Sequence, residues 1–461
     1  MKILLVLPAG ENVRVTREQP GVPRRKMLRF SVLPLTIVAA LTPPEHEVFI
    51  VDENVEPLDF EVYVDVVGVT FMTALAPRAY EIARRFRERG TVVVGGGYHP
   101  TLRPAESMKH FDSIVIGDAE EVWVRVLRDM EAGRLQKSYS CPACGEGKSL
   151  HSPVPRRDLL AGKAGHYVTI NAIQAGRGCR HACRYCSVTA FHQQMYRNRP
   201  LEEVLAELKT IPRDLIFVDD NIMTNHEYAR KLFQSMIPLR KRWVCQCSIE
   251  VADDEELLGL ASEAGCCGFF IGIETLNTKN LAVMGKNFND SEKYRERLDR
   301  IRRKGIGVIA GIIVGLDNDG KTVFERMLAF LTETKIDAVQ LNILTPLPGT
   351  PLFADMQQSA RITDEDWSHY DFRHVVFLPV LMTAVELQAG ADWLYSQFYR
   401  LDRILWRFAR NILGFRWMSA LLGLKLGLTY RYDNKRENIG GWNPAGIKER
   451  HELSRIQLSN C

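Results

Sequence analysis

A chain of 461 residues, 46% hydrophobic and 25% charged, has the length for two or three domains and the balance of a soluble globular protein. Its net charge of +4 gives no argument for a nucleic-acid partner, and no uninterrupted apolar run is long enough to span a membrane. Ten cysteines with no recognisable secretion signal point to a reducing cytoplasm, where thiols serve metals or stay buried.

Residues 1–138 are expected to form an open α/β domain. Short apolar runs at 2–7, 47–51, 65–70, 91–94 and 113–116 are β-branched and bounded by Gly, Pro or Asp, as buried parallel strands are. The first run is too short for a signal peptide and reads as the first strand. Helical periodicity lies between the runs, as at 76–89. Sheets of this kind bind ligands at the carboxyl ends of their strands. The residues found there are Thr70, Met72 and Thr73 after the third run, then Gly95, Gly96, Gly97, His99, Pro100 and Thr101 after the fourth. Gly117, Asp118 and Glu120 follow the fifth. Glycine at a strand end lets the backbone approach a flat or phosphate-bearing ligand.

Residues 139–166 read as a connector rich in Ser, Gly, Pro and Lys. It contains Cys141-Pro142-Ala143-Cys144, half the pattern of a zinc or iron site. The other half is not evident; Cys245, Cys247, Cys266 and Cys267 are the spare thiols. From 167 to 375 strands and helices alternate. Strands are expected at 167–172, 215–218, 243–249, 268–273, 307–314 and 338–344, with helices at 201–210, 228–236, 254–263, 291–304 and 321–334. Six βα units make an incomplete parallel barrel, with its chemistry on the loops at the strand carboxyl ends. Residues 376–461 look mostly helical. Within 398–412, Leu401, Leu405, Phe408 and Ile412 fall on one face and Arg400, Arg403, Arg407 and Arg410 on the other. That pattern suits a helix packed on its own domain or one lying on a membrane surface. The tail beyond Gly440 is polar and is expected to be poorly ordered.

The chemistry concentrates after the first barrel strand, in Gly176-Arg177-Gly178-Cys179-Arg180-His181-Ala182-Cys183-Arg184-Tyr185-Cys186. Thiolates are soft ligands that select iron–sulfur clusters, zinc or copper(I). A [4Fe-4S] cluster takes four ligands and this loop offers three, Cys179, Cys183 and Cys186, leaving one iron for something that is not protein. A structural zinc site would want a fourth ligand. His181 is at hand, but its place inside so short a loop gives poor geometry.

This C-x-x-x-C-x-Φ-C loop resembles that of the radical S-adenosylmethionine (radical SAM) enzymes, and the layout of 1–138 resembles the cobalamin-binding domain that precedes many of them. The second likeness is carried by the turns at 96–101 and 117–120 and by Leu33-Pro34-Leu35. The resemblance implies an N-terminal Rossmann-like open parallel sheet of cobalamin-binding type, a partial (β/α)6 TIM-like radical SAM barrel and a helical C-terminal domain. It implies three cofactors: a [4Fe-4S] cluster, S-adenosyl-L-methionine (SAM) and cobalamin. The D-x-H-x-x-G motif that supplies a histidine to cobalt is absent from 1–138, so cobalamin is expected without a histidine ligand and His99 as a lining residue. By position, Tyr185 lies beside adenine. Asp219, Asp220 and Asn221 end the second strand and match the segment that binds SAM's amino group. Glu250, Gly272 and Glu274 are further SAM candidates, and Gly315 and Leu316 abut adenine. Arg197 and Arg199 meet an anion or pair within the fold. A methylthiotransferase domain fits less well, because no cysteine precedes Cys141 and the C-terminus is helical. The implied activity is methyl transfer to an unactivated carbon of a small-molecule, natural-product or lipid substrate through a 5′-deoxyadenosyl radical. Radical cyclisation, rearrangement or oxidation is the alternative, and a non-catalytic iron–sulfur or zinc module the third. An electron donor such as flavodoxin or ferredoxin is implied, in a cytoplasmic enzyme with optional membrane contact through the C-terminal helix.

Overall fold

The computed structural model describes residues 1–16, 32–140, 149–414 and 417–436. The expected Cys141/Cys144 turn and the tail beyond Gly440 lie outside the described residues. The first sheet holds β1 (Lys2–Leu7), β2 (Glu47–Asp52), β3 (Val66–Thr70), β4 (Val92–Gly96), β5 (Ser113–Ile116) and β6 (Ser138–Ser140), all parallel in the order β2-β1-β3-β4-β5-β6. Helices α1 (Leu33–Leu41), α2 (Ala76–Glu88), α3 (Tyr98–Leu102), α4 (Pro104–Ser107) and α5 (Trp123–Glu131) accompany it. Successive strand residues feed opposite cores. Leu4 and Val6 pack with Ile82 and Phe86 of α2, whereas Ile3 and Leu5 pack with Leu35 of α1 and Trp123 of α5. The strand order reverses between β2-β1 and β3, the switch point at which such sheets open a crevice.

β6 was not expected, because Tyr139 is its single apolar side chain; parallel pairing with β5 makes it a strand. The first barrel strand shrinks in turn. Only β7 (Ala172–Ile173) forms where 167–172 was expected. The preceding residues dock onto the first sheet instead: Tyr167 donates to Asp52 Oδ2 at 2.9 Å, and Lys163 bonds the Ile50 carbonyl at 2.5 Å and pairs with Glu56.

After β7 comes an antiparallel hairpin, β8 (Gly176–Gly178) with β9 (Tyr196–Asn198), carrying α6 (Ser187–His192) between its strands. Then β10 (Asp214–Phe217), β11 (Arg242–Cys247), β12 (Cys266–Glu274), β13 (Gly307–Val314) and β14 (Ala338–Ile343) continue from β7 as a parallel sheet. Helices α7 (Leu201–Thr210), α8 (His226–Met236), α9 (Glu255–Glu263), α10 (Thr278–Val283), α11 (Tyr294–Arg303), α12 (Val323–Glu333) and α13 (Pro351–Gln358) cover its outside. Six parallel strands with a helix layer make the expected partial barrel. Its first edge meets the N-terminal domain, where Leu33, Ile37 and Leu41 of α1 pack on Ala172, Ile216 and Val218.

Helices α14 (Ala384–Phe398), α15 (Leu401–Leu413) and α16 (Trp417–Arg436) complete the chain. A capping box, Thr383 with Glu386, starts α14. Tyr399 closes the free edge of β14, its hydroxyl accepting from Val339 N at 2.9 Å and donating to Val339 O at 2.6 Å. Ser419 of α16 donates to Gly305 O just before β13, and Asn411 of α15 to Asp337 Oδ1 just before β14. These two helices therefore lie at the amino ends of the strands. The orientation of α15 reverses the expectation. Arg407 is buried and donates to Phe398 O, and Arg410 donates to Lys335 O. Leu401, Leu405, Trp406 and Leu413 are exposed. Carbonyls at the end of α14 take Arg403 and Arg407, and the Lys335 carbonyl with Asp337 takes Arg410, so these three turn inward while Arg400 stays at the surface beside Asp402.

Candidate active site

The loop after β8 starts with a backbone that only glycine allows. Gly178 has φ +91°, and a Cβ there would stand 2.1 Å from the Met195 carbonyl oxygen. The two aspartates after β10 hold this backbone from beneath. Asp219 accepts from Ala175 N and Gly176 N at 3.0 and 2.5 Å, and Asp220 accepts from Gly178 N at 2.9 Å. Asp219 is fully enclosed, and burial pushes its pKa up to about 7. Its oxygens are committed to the loop, and it does not line the cavity above. Asp220 does.

That cavity, about 220 Å³, lies at the carboxyl ends of the barrel strands. It brings together Cys179, Cys183, Cys186, Tyr185, Asp220, Asn221, Gly272 and Glu274 of the expected site. Burial raises the pKa of all three thiols, Cys183 to about 12 against the opposing pull of Lys286. Loading with iron must therefore displace protons. Among the described residues no three His, Cys, Asp or Glu side chains converge on a point suited to one metal ion. Cluster thiolates each bind a different iron and need not converge. His181 also borders the cavity, with its ring stacked on Phe288 at 3.6 Å and Nε2 facing Ser248 Oγ at 3.2 Å. The donor set fits a cluster with one open iron.

Sequence reasoning missed Lys286. It follows α10, pairs with Glu274 and lies over the Phe288 ring. Glu274 accepts from Tyr185 Oη at 3.0 Å. Glu274 sits at a bulge between β12 and β13 with φ +64°, an uncommon backbone for a non-glycine residue. A Cβ on Gly272 would stand 2.3 Å from Glu274 Oε1, so glycine there makes room for the ion pair. Lys286 is the one Lys or Arg among the cavity's described lining residues. Its only sequence signal was a lysine in a loop downstream of a strand-end glutamate.

Other expected residues lie elsewhere. Glu250 is outside the cavity, 3.7 Å from His181 Nε2. Gly315 and Leu316 give their N–H groups to Asp319 Oδ2, and Gly315 packs under Leu387 of α14. Leu33 is spent on the contact of α1 with the barrel. His99 is fully buried; Tyr80 Oη lies 3.0 Å from Nε2 and Thr73 Oγ1 3.3 Å from Nδ1. Burial pushes its pKa down to about 4. Both ring nitrogens face hydroxyl groups within the domain, so His99 is a core residue and not the lining residue expected. Pro100 is buried beside it. Gly95 lies under the Phe111 ring, and Gly97 (φ +101°) presses on Thr70 and Phe71. Thr101 Oγ1 donates to Gly97 O and accepts from Gly117 N, tying the β4 and β5 turns together. Gly117 (φ +84°) has open space above it, a Cβ on Gly96 would meet only Val115 at 3.9 Å, and Met72 is half exposed. These three remain able to face a flat ligand.

The N-terminal domain meets the barrel domain through residues that do not line this cavity. Tyr98 packs at a tilt on Phe191 of α6, ring centroids 4.8 Å apart, and Leu102 fits against Gly349 after β14. Trp367 donates to Glu106 at 2.8 Å. Asp118 and Glu120 pair with Arg177 of β8, and Asp118 also with Arg197 of β9. Arg199 pairs inside the fold with Glu207 at 2.7 Å.

A doubly wound sheet docked on a partial barrel, with three thiols at the barrel's mouth, defines a two-domain metallocofactor protein. The model of the B12 binding domain matches residues 29–127, and that of the radical SAM superfamily matches 173–331. The chain belongs to the cobalamin-dependent radical SAM enzymes, whose cofactors are a [4Fe-4S] cluster, SAM and cobalamin. It is 29% identical to the bacteriochlorophyllide d C-12(1)-methyltransferase of Chlorobaculum tepidum, over 85% of this chain and 87% of that one. It is 25% identical to the anaerobic magnesium-protoporphyrin IX monomethyl ester cyclase of Cereibacter sphaeroides, over 81% and 66% respectively. The structure of the radical SAM methyltransferase TsrM from Kitasatospora setae, with cobalamin and a [4Fe-4S] cluster bound, superposes with a TM-score of 0.60 at 17% identity, covering 78% of each chain. Among the described residues no helix is long and apolar enough to cross a membrane.

Proposed function

We propose that this enzyme transfers a methyl group to an unactivated carbon of a small, largely apolar substrate. The observation that carries the reading is the cavity in which three thiols meet a Glu–Lys pair and an aspartate, in a barrel onto which a cobalamin-type domain is docked. A three-thiolate cluster supplies reductive SAM cleavage, and cobalamin supplies a transferable methyl group. The protein's own residues orient and enclose. Cys179, Cys183 and Cys186 would hold the cluster. Lys286 would meet SAM's carboxylate, since it is the strong cation of the cavity. Asp220 and Glu274 would accept from its ammonium group, and Tyr185 would lie beside adenine. Gly96, Gly117 and Met72 would border the corrin. An electron donor such as flavodoxin or ferredoxin would reduce the cluster. We extend the reading to a peripheral membrane contact made by the outward Leu401, Leu405, Trp406 and Leu413 rather than by the arginines. This contact would lie away from the cavity, at the other end of the barrel.

The cyclase relative supports the second reading, radical cyclisation without methyl transfer. Anaerobically reconstituted protein with methyl-deuterated SAM and extracted small molecules separates the two. Methyl transfer gives S-adenosylhomocysteine alongside 5′-deoxyadenosine, and a deuterated product. Deoxyadenosine without S-adenosylhomocysteine supports the cyclase reading, and the absence of both products overturns the enzyme assignment.

A further inference from the structure

The hairpin that carries the cluster loop contains a conflict within itself. In its register Arg177 of β8 stands directly opposite Arg197 of β9. Like charges facing each other across an antiparallel pair are destabilising. Both side chains are largely buried, 12% and 7% exposed, so water screens them little. The compensating charge comes from the other domain. Asp118 Oδ1 lies 2.8 Å from Arg177 Nη1, and its Oδ2 pairs with Arg197 Nη2. Glu120 Oε1 lies 2.8 Å from Arg177 Nη2. The electrostatics agree with the geometry. Burial alone would raise Asp118, but Arg177 and Arg197 hold its pKa down at about 2. Arg177 begins two residues before Cys179.

We propose that Asp118, assisted by Glu120, is a positioning residue: by neutralising the Arg177–Arg197 pair it makes the shape of the cluster-bearing hairpin depend on docking of the cobalamin-type domain. The cluster loop and the cobalamin turn are then held in one register by a single four-charge junction. The hairpin keeps its geometry only when the N-terminal domain is seated, and removing the carboxylate leaves two buried cations facing each other. This rests on the functional reading above only for its consequence in turnover.

Hydrogen–deuterium exchange on the cofactor-free full chain tests the structural claim. In Asp118→Asn, amides of the 176–198 hairpin should exchange on the order of a hundredfold faster or more, the usual scale for breaking a buried charge pair. In Asp118→Asn with Arg197→Gln, exchange should return toward wild type, because no like charge is left to neutralise. Wild-type exchange in the single variant, or no recovery in the double, overturns the proposal. In the reconstituted enzyme, Asp118→Asn should lower SAM cleavage, read as 5′-deoxyadenosine, about tenfold, and adding Arg197→Gln should restore it to within about twofold of wild type. Wild-type cleavage in the single variant, or no recovery in the double, overturns the positioning role and leaves the enzyme assignment standing. Absence of deoxyadenosine from wild type removes the assignment and leaves the exchange result intact.

Discussion

The two ends of the barrel use polar residues in opposite ways. At the carboxyl ends of β10 to β14, thiols, Asp220, Glu274 and Lys286 border an open cavity. At the amino ends of β12 to β14 the polar groups of α15 and α16 are used in packing instead. There Arg410, Asn411 and Ser419 bond Lys335 O, Asp337 and Gly305 O, and the helices seal the base. The difference teaches that charge near a strand end is not itself a sign of function. What matters is whether the backbone and its neighbours consume the group. The same test sorts the two adjacent aspartates after β10, because Asp219 is consumed by Ala175 and Gly176 whereas Asp220 keeps a face on the cavity.

The largest effect should come from the open end. Replacing Cys179, Cys183 and Cys186 together with Ala should abolish both the cluster absorbance and all SAM cleavage, read as 5′-deoxyadenosine. Surviving cleavage would sink the assignment of the cavity. Lys286→Met is next. Losing one charge-assisted bond costs about 1.5–3 kcal/mol, so SAM affinity measured by calorimetry on the reconstituted protein should fall about 10- to 100-fold. Cluster content should stay intact. Unchanged affinity would mean that Lys286 serves only Glu274.

Much of this was legible in the sequence, for reasons specific to each element. Residues 307–314 read as a strand because every position is apolar or Gly, and the whole strand is found. The cysteine loop was legible because thiolates at that spacing leave few alternatives. The N-terminal turns were misleading. The glycines after β4 suggested room for a ligand, yet Gly95 and Gly97 are filled by Phe111, Thr70 and Phe71. Asp118 and Glu120 looked like ligand contacts because their arginine partners lie about sixty residues away, on a hairpin whose register the sequence does not display. Lys286 was invisible for the same reason. Only the fold brings a loop lysine back onto the strand-end Glu274.

Asp219 allows a subtler check on the supporting end of the site. Its folded pKa, about 7, lies above that of an ordinary carboxylate. The stability it contributes is therefore fully present below the unfolded value near pH 4 and is lost as pH rises through about 7. Urea unfolding of the cofactor-free protein should show wild type losing stability from about pH 4 to pH 7. Asp219→Asn should lose less over that window. Equal pH slopes would mean that the two backbone N–H donors keep Asp219 ionised in spite of burial.

The smallest effect on stability should come from the outer face of α15, and it separates two meanings of one amphipathic pattern. A helix with leucines on one side and arginines on the other can turn either side to its protein. Here Arg407 lies on the Phe398 ring at 4.1 Å, with burial pushing its pKa down to about 10, and Leu413 is 80% exposed. Leu405→Gln with Leu413→Gln removes little packing, so unfolding free energy should move by no more than about 0.5 kcal/mol. Arg410→Gln, which strips a donor from Lys335 O and a charge from beside Asp337, should cost about 1–3 kcal/mol. The same pair of variants tests membrane contact. An apolar face binds by burial, so wild type should sediment with uncharged phosphatidylcholine vesicles and stay bound when salt is raised. The double Leu variant should remain in the supernatant. Binding that needs anionic lipid and fades with salt would instead implicate charges other than Arg403, Arg407 and Arg410, which are already taken by α14 and the barrel base.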